Sequence, residues 1–87
     1  MAHNSSEEIT AEQIRAARSA LGISVRSVAE ETGLGLATIK RYEATTGVPK
    51  TRKGNLLQLR EFYQRHAIEF IGTPDDRPGI RIGKPKT

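Results

Sequence analysis

"ETGLGLATIKRYEATTG", residues 31–47, sets two glycines one residue apart in front of a run with helical character. A helix ending at Gly33 needs a left-handed residue at its C-terminal turn, and glycine adopts that conformation without steric cost. Leu34 is then expected to plug the turn into the core. Gly35 serves as the cap of a new helix, "LATIKRYEAT", in which Ile39 and Tyr42, three residues apart, face inward. Leu36, Ala37, Lys40, Arg41 and Ala44 are left outward or at the edges, and Gly47 and Pro49 end the helix. The layout is a helix stop, a tight turn and a further helix whose outer face opens with apolar residues.

Working outward toward the N-terminus, Ser24 is a good cap for the helix that Gly33 stops, "VRSVAEET", with Val25, Val28 and Ala29 inward. Before it, Thr10 and Gln13 fit a T-x-x-Q capping box that opens a first helix. That helix places Ile14, Ala17 and Leu21 on one face and closes at Gly22. Toward the C-terminus, a fourth helix is predicted from about Arg52 to Arg65, with Leu56, Leu59 and Tyr63 inward and Leu57 and Phe62 widening the stripe. After His66 the period changes. Ile68 and Phe70 alternate with Glu69, a turn-rich "GTPDDRPG" follows, and Ile80 and Ile82 alternate with Arg81, which reads as a β-hairpin or a pair of strands. A two-stranded hairpin is marginal alone in water, so it packs on the helices or pairs with another chain. On the second option Ile68, Phe70, Ile80 and Ile82 are the dimerisation residues. The expected organisation is a disordered arm over 1–9, a helical domain over 10–66, the hairpin or dimerisation strands over 67–83, and a basic tail over 84–87.

Composition narrows the function classes. A chain of 87 residues buries only about 60% of its unfolded surface and supports one small core, which disfavours an enzyme with a deep pocket. Without cysteine there are no disulfides and no thiolate metal sites. The apolar runs fall far short of the roughly 20 residues that cross a bilayer, and the polar, acidic start does not resemble a signal peptide, so a soluble cytoplasmic protein with no membrane partner is expected. The net charge is +4, and its distribution is uneven: residues 34–54 hold five Lys and Arg against one Glu, whereas residues 1–33 hold three against five acids. That concentration points to a polyanion such as nucleic acid; a solvated basic face is the plainer reading of the same charges.

Taken together, "QIRAARSALGISVRSVAEETGLGLATIKRYEATTGVP", residues 13–49, resembles the helix-turn-helix domain of the Cro/CI-type, or XRE, family of bacterial and phage regulators. The resemblance rests on "LG-S" before the second helix, small Ala29 where two helices touch, Gly33 at the turn, apolar Leu34 after it, Ile39 and Tyr42 inside the third helix, and the spaced pairs Arg15-x-x-Arg18 and Arg41-x-Glu43. It implies a mainly α, four- to five-helix, lambda-repressor-like domain, here with a C-terminal strand or hairpin. It also implies that Arg18 and Glu43 form a charged pair tying the first helix to the end of the third.

In that fold the exposed start of the third helix lies in the major groove of double-stranded DNA, which makes Leu36, Ala37, Lys40 and Arg41 the base-contact candidates. Arg41 either grips a guanine or holds a phosphate; Leu36 and Ala37 suit thymine methyls. Arg26, Thr38, Lys50, Arg52 and Lys53 are the backbone-contact candidates. Two departures remove usual anchors: Val25 stands where a polar residue commonly opens the second helix, and Gly35 lacks the hydroxyl that commonly opens the third. The expectation is a homodimeric transcription regulator, a repressor or autoregulator on a palindromic operator, encoded by a bacterium, phage or mobile element. The alternative is a degenerate helix-turn-helix that binds a protein partner, as an antiactivator or antitoxin-like module, through Leu36, Ala37 and Val25. No cofactor, metal or catalytic residue is expected: His3 and His66 are isolated, and Asp75 and Asp76 are turn residues.

Overall fold

Thr10 opens helix α1 (Ala11–Leu21) with a complete capping box: its hydroxyl accepts from the Gln13 amide at 3.0 Å, and the Gln13 side-chain carbonyl accepts from the Thr10 amide at 2.8 Å. Two otherwise orphaned donors are thereby satisfied where the chain enters the core. Gly22, left-handed at φ 68°, closes α1. Ser24 caps α2 (Val25–Thr32) by accepting from the Ser27 amide, and Gly33 ends it at φ 81°. Helix α3 (Leu36–Ala44) follows Gly35, which offers no side-chain cap, and α4 (Asn55–Arg65) leads through His66 into a hairpin of β1 (Ile68–Thr73) and β2 (Asp76–Ile82). The computed structural model from which this architecture is taken describes residues 8–52 and 54–83. Lys53, His3, most of the predicted N-terminal arm and the basic tail therefore lie outside the described residues.

The core is built from all four helices and β1. Ile14 and Ala17 of α1, Val28 of α2, Ile39 and Tyr42 of α3, Leu56, Leu59, Phe62 and Tyr63 of α4, and Ile68 and Phe70 of β1 form one buried cluster. Leu21, Val25, Ala29 and Leu34 pack against its margin, so the turn between α2 and α3 is anchored as the spacing predicts. Thr32 adds a link the spacing does not reveal: its hydroxyl donates to the Val28 carbonyl at 2.7 Å and accepts from the Leu34 amide at 3.2 Å.

Three expectations are corrected. Ile9 is fully buried in the core, so the arm predicted over 1–9 gives way to packed chain by that residue. Helix α4 begins at Asn55 rather than near Arg52, because Gly54 precedes it at φ 93°, a conformation that cannot belong to the helix. Leu57 is 37% exposed and does not widen the inner stripe, whereas Phe62 does.

The hairpin is antiparallel, pairing Ile68 with Ile82, Glu69 with Arg81, Phe70 with Ile80 and Ile71 with Gly79, with a bulge before Thr73 pairs with Asp76. Gly72 occupies the bulge at φ 75°, where a side chain would collide with the Arg77 carbonyl. Of the two routes open to a marginal hairpin, the chain takes the first. Ile68 and Phe70 are buried among the helices and Ile80 packs against the same cluster, which corrects their assignment as free dimerisation residues; only Ile82, 65% exposed, points away. Gln13 fastens the arrangement, its amide group donating to the Ile71 carbonyl at 3.1 Å and the Gly79 carbonyl at 2.9 Å, one on each strand.

Candidate nucleic-acid interface

Helix α3 divides into two faces by its own periodicity. Ile39, Tyr42 and Glu43 are buried; Ala37, Lys40, Arg41 and Ala44 are exposed, with Leu36 and Thr38 half-buried at the border. Positions 36, 37, 40, 41 and 44 are neighbours at three- and four-residue spacing, so the outer face is one continuous stripe. It opens with apolar Leu36 and Ala37, continues with cationic Lys40 and Arg41, and ends at Ala44.

The inner face is held by α1. Arg18 grips Glu43 with two parallel bonds, Nε to Oε2 at 2.8 Å and Nη2 to Oε1 at 2.9 Å, and its remaining Nη1 donates to the Ile23 carbonyl at 3.1 Å. Glu43 is only 8% exposed, so this is a bidentate pair largely withdrawn from water. The hydrogen bond to Glu43 raises the Arg18 pKa and keeps it charged, against the opposing effect of burial. Arg15 adds a second bracket, donating to the carbonyls of Glu43 and of Thr45, the latter at 3.3 Å. These carbonyls belong to the last turn of α3 and the residue after it, where helix carbonyls lack intrahelical partners and the dipole favours a cation. Sequence reading did not assign Arg15 this role; a basic residue three positions before Arg18, on the same face of α1, is the signal that was there.

The loop after α3 is tied back to α1 as well. The Ala11 amide donates to the Gly47 carbonyl at 2.8 Å, and the Gly47 amide donates to Glu12 Oε1 at 3.2 Å. Hydrogen bonds from its own amide and from that of Gly47 hold the Glu12 carboxyl below the usual range. Pro49 is buried at the end of this loop. Between loop and helix lies a groove of about 320 Å³ lined by Arg41, Tyr42, Thr45, Thr46, Val48, Pro49 and Lys50. The Arg41 guanidinium lies 5.6 Å from the centre of the Tyr42 ring, and the Tyr42 hydroxyl accepts from the Asn55 side chain at 2.9 Å.

Cations without an acidic partner gather in this region, and Arg26, Arg60 and Arg65 elsewhere also have none among the described residues. Among the described residues, Lys40, Arg41, Lys50 and Arg52 are all exposed and none has an acidic partner within 4.0 Å, while Arg15, Arg18, Arg77 and Arg81 are each paired with a carboxylate. Arg26, on the first turn of α2, is also exposed and unpaired among the described residues. Lys50 and Arg52 stand in the loop before α4 rather than on its first turn, because that helix starts at Asn55.

Of the residues named for a protein partner, Ala37 is exposed on the outer stripe of α3. Val25 turns into the core margin, Leu36 is half-buried, and the exposed large apolar side chains among the described residues are Leu57 and Ile82, neither on α3. No described helix is long and apolar enough to cross a membrane. His66 caps the end of α4, packs at a tilt of 55° against Phe62 at 4.7 Å between ring centres and lies 4.0 Å from Glu31. No family model, curated protein or solved structure matches this chain.

Proposed function

We propose that the protein is a sequence-specific DNA-binding regulator of the Cro/CI type that lays α3 along the major groove of duplex DNA. The observation that carries this reading is the set of exposed, unpaired cations at Lys40, Arg41, Lys50 and Arg52 on and just after the outer stripe of α3. Unpaired charges attract a polyanion and release its counterions, whereas paired ones contribute little. Two further features support it. The helix is locked from behind by Arg15 and Arg18, as a reading element must be if small side chains are to be placed on base edges. Its leading residues, Leu36 and Ala37, suit thymine methyls, and Lys40 suits a guanine edge or a phosphate. Arg26 and Thr38 are the further candidates for backbone contacts.

The reading includes a second copy. With Ile68, Phe70 and Ile80 consumed by the intramolecular core, dimerisation falls to the exposed Ile82 and the surface around it. A dimer acting on bacterial, phage or mobile-element DNA in the cytoplasm reads a palindrome with half-sites about one helical turn apart. Selection from a random duplex library tests this. Enrichment of a two-fold symmetric site is expected; retention of no duplex at low salt, by a protein with a cooperative unfolding transition, refutes it.

A further inference from the structure

Resting on the DNA-binding reading, we infer that Arg41 is a backbone-phosphate ligand rather than a base reader, and that it shares a phosphodiester subsite with Lys50, Thr45 and Thr46 in the groove behind the end of α3. The groove brings two cations and two threonine residues around one open space, and none of its lining residues is acidic. Two positive charges facing one space repel each other unless an anion comes between them, and neither has an acidic partner among the described residues.

Three features make the site fit an anion. The Arg41 guanidinium lies over the Tyr42 ring, 5.6 Å from its centre, and both residues line the same groove as Lys50. The C-terminal end of a helix ordinarily repels anions, but here Arg15 donates to the Glu43 and Thr45 carbonyls and offsets their partial negative charge. The loop that supplies Thr45, Thr46 and Lys50 is fixed at Gly47 by two hydrogen bonds to the start of α1, so the donors are held in place before the ligand arrives. Base discrimination then rests on Leu36, Ala37 and Lys40, with an apolar component directed at thymine methyls.

Library selection and salt titration of Arg41→Ala, Arg41→Lys and Lys50→Ala on duplex DNA test the assignment. Arg41→Ala is expected to weaken every site by roughly tenfold, about the size of one charge-assisted contact. It leaves the selected sequence unchanged and lowers the salt slope by about one. Lys50→Ala behaves the same way, and Arg41→Lys retains most of the affinity, since a phosphate tolerates a point charge where a bidentate base contact does not. Loss of a guanine preference in both Arg41 variants overturns the subsite while leaving the DNA-binding reading intact. Failure of the wild-type protein to bind any duplex overturns both.

Discussion

Arginines on α1 and cations on and after α3 stand within one small domain and have opposite surroundings. Arg15 and Arg18 spend their donors on Glu43, Ile23 and Thr45, whereas Lys40, Arg41, Lys50 and Arg52 find no acid among the described residues. The same chemistry therefore does two jobs. Where a guanidinium is partly buried it must be hydrogen-bonded to avoid a large desolvation cost, and it then fixes the position of the helix it grips. Where a cation is exposed and has no acidic partner it adds little to the fold and remains available to an anion.

The largest effect expected from breaking this contrast is at the paired end. Glu43→Ala leaves the Arg18 guanidinium partly buried without its carboxylate and should cost about 3 kcal/mol, read as a lower urea midpoint at unchanged slope. The double variant Arg18→Met, Glu43→Leu should lose less than the sum of the two single changes, because it leaves no orphaned charge. Lys40→Ala, on the unpaired side, should leave the midpoint within about 0.5 kcal/mol. A loss of about 2 kcal/mol, between those of Glu43→Ala and Lys40→Ala, is expected from Gln13→Ala, which removes bonds to Thr10, Ile71 and Gly79 together and should speed hydrogen exchange in both strands.

An effect confined to alkaline pH concerns Tyr63. Its hydroxyl is buried with no hydrogen-bond partner among the described residues, and burial, reinforced by the charge of Glu43 and opposed by that of Arg18, raises its pKa. The unfolded chain ionises this tyrosine near its ordinary value while the folded chain keeps it neutral, so its contribution is complete below about pH 10 and is lost as pH rises further. Tyr63→Phe should be near neutral in stability at pH 7 and should flatten the alkaline loss, by up to about 1.4 kcal/mol per pH unit.

Local devices were legible in the sequence because they depend on short spacings. The Thr10 to Gln13 box, the Ser24 cap and the stops at Gly22 and Gly33 each lie within four residues of what they act on. The inward pair Ile39 and Tyr42 followed from helical period in the same way. What the spacing does not carry is contact between distant segments. Gln13 reaches carbonyls 58 and 66 residues away, and nothing in its local pattern distinguishes a capping residue from one that also clamps a hairpin. The hairpin itself was readable from its alternation, but alternation marks an apolar face without saying what covers it. By pattern Ile68 and Phe70 therefore fit a partner chain and the molecule's own helices equally well, and the packing of α4 against β1 is what buries them. Arg41 was ambiguous for a related reason: its place on the outer stripe follows from period, whereas its turn toward Tyr42 and Lys50 depends on the path of the loop beyond Gly47.

The division between paired and unpaired cations is tested most directly by the salt dependence of duplex DNA binding in two variants. One replaces Lys40, Arg41, Lys50 and Arg52 by Gln; the other replaces the paired Arg77 and Arg81. The wild-type affinity should fall with salt at a slope of about −3 or steeper per bound protomer. The first variant should lose most of that slope and the second should keep it. Equal slopes in the wild type and the fourfold variant, or an equal loss from the hairpin pair, would contradict the account.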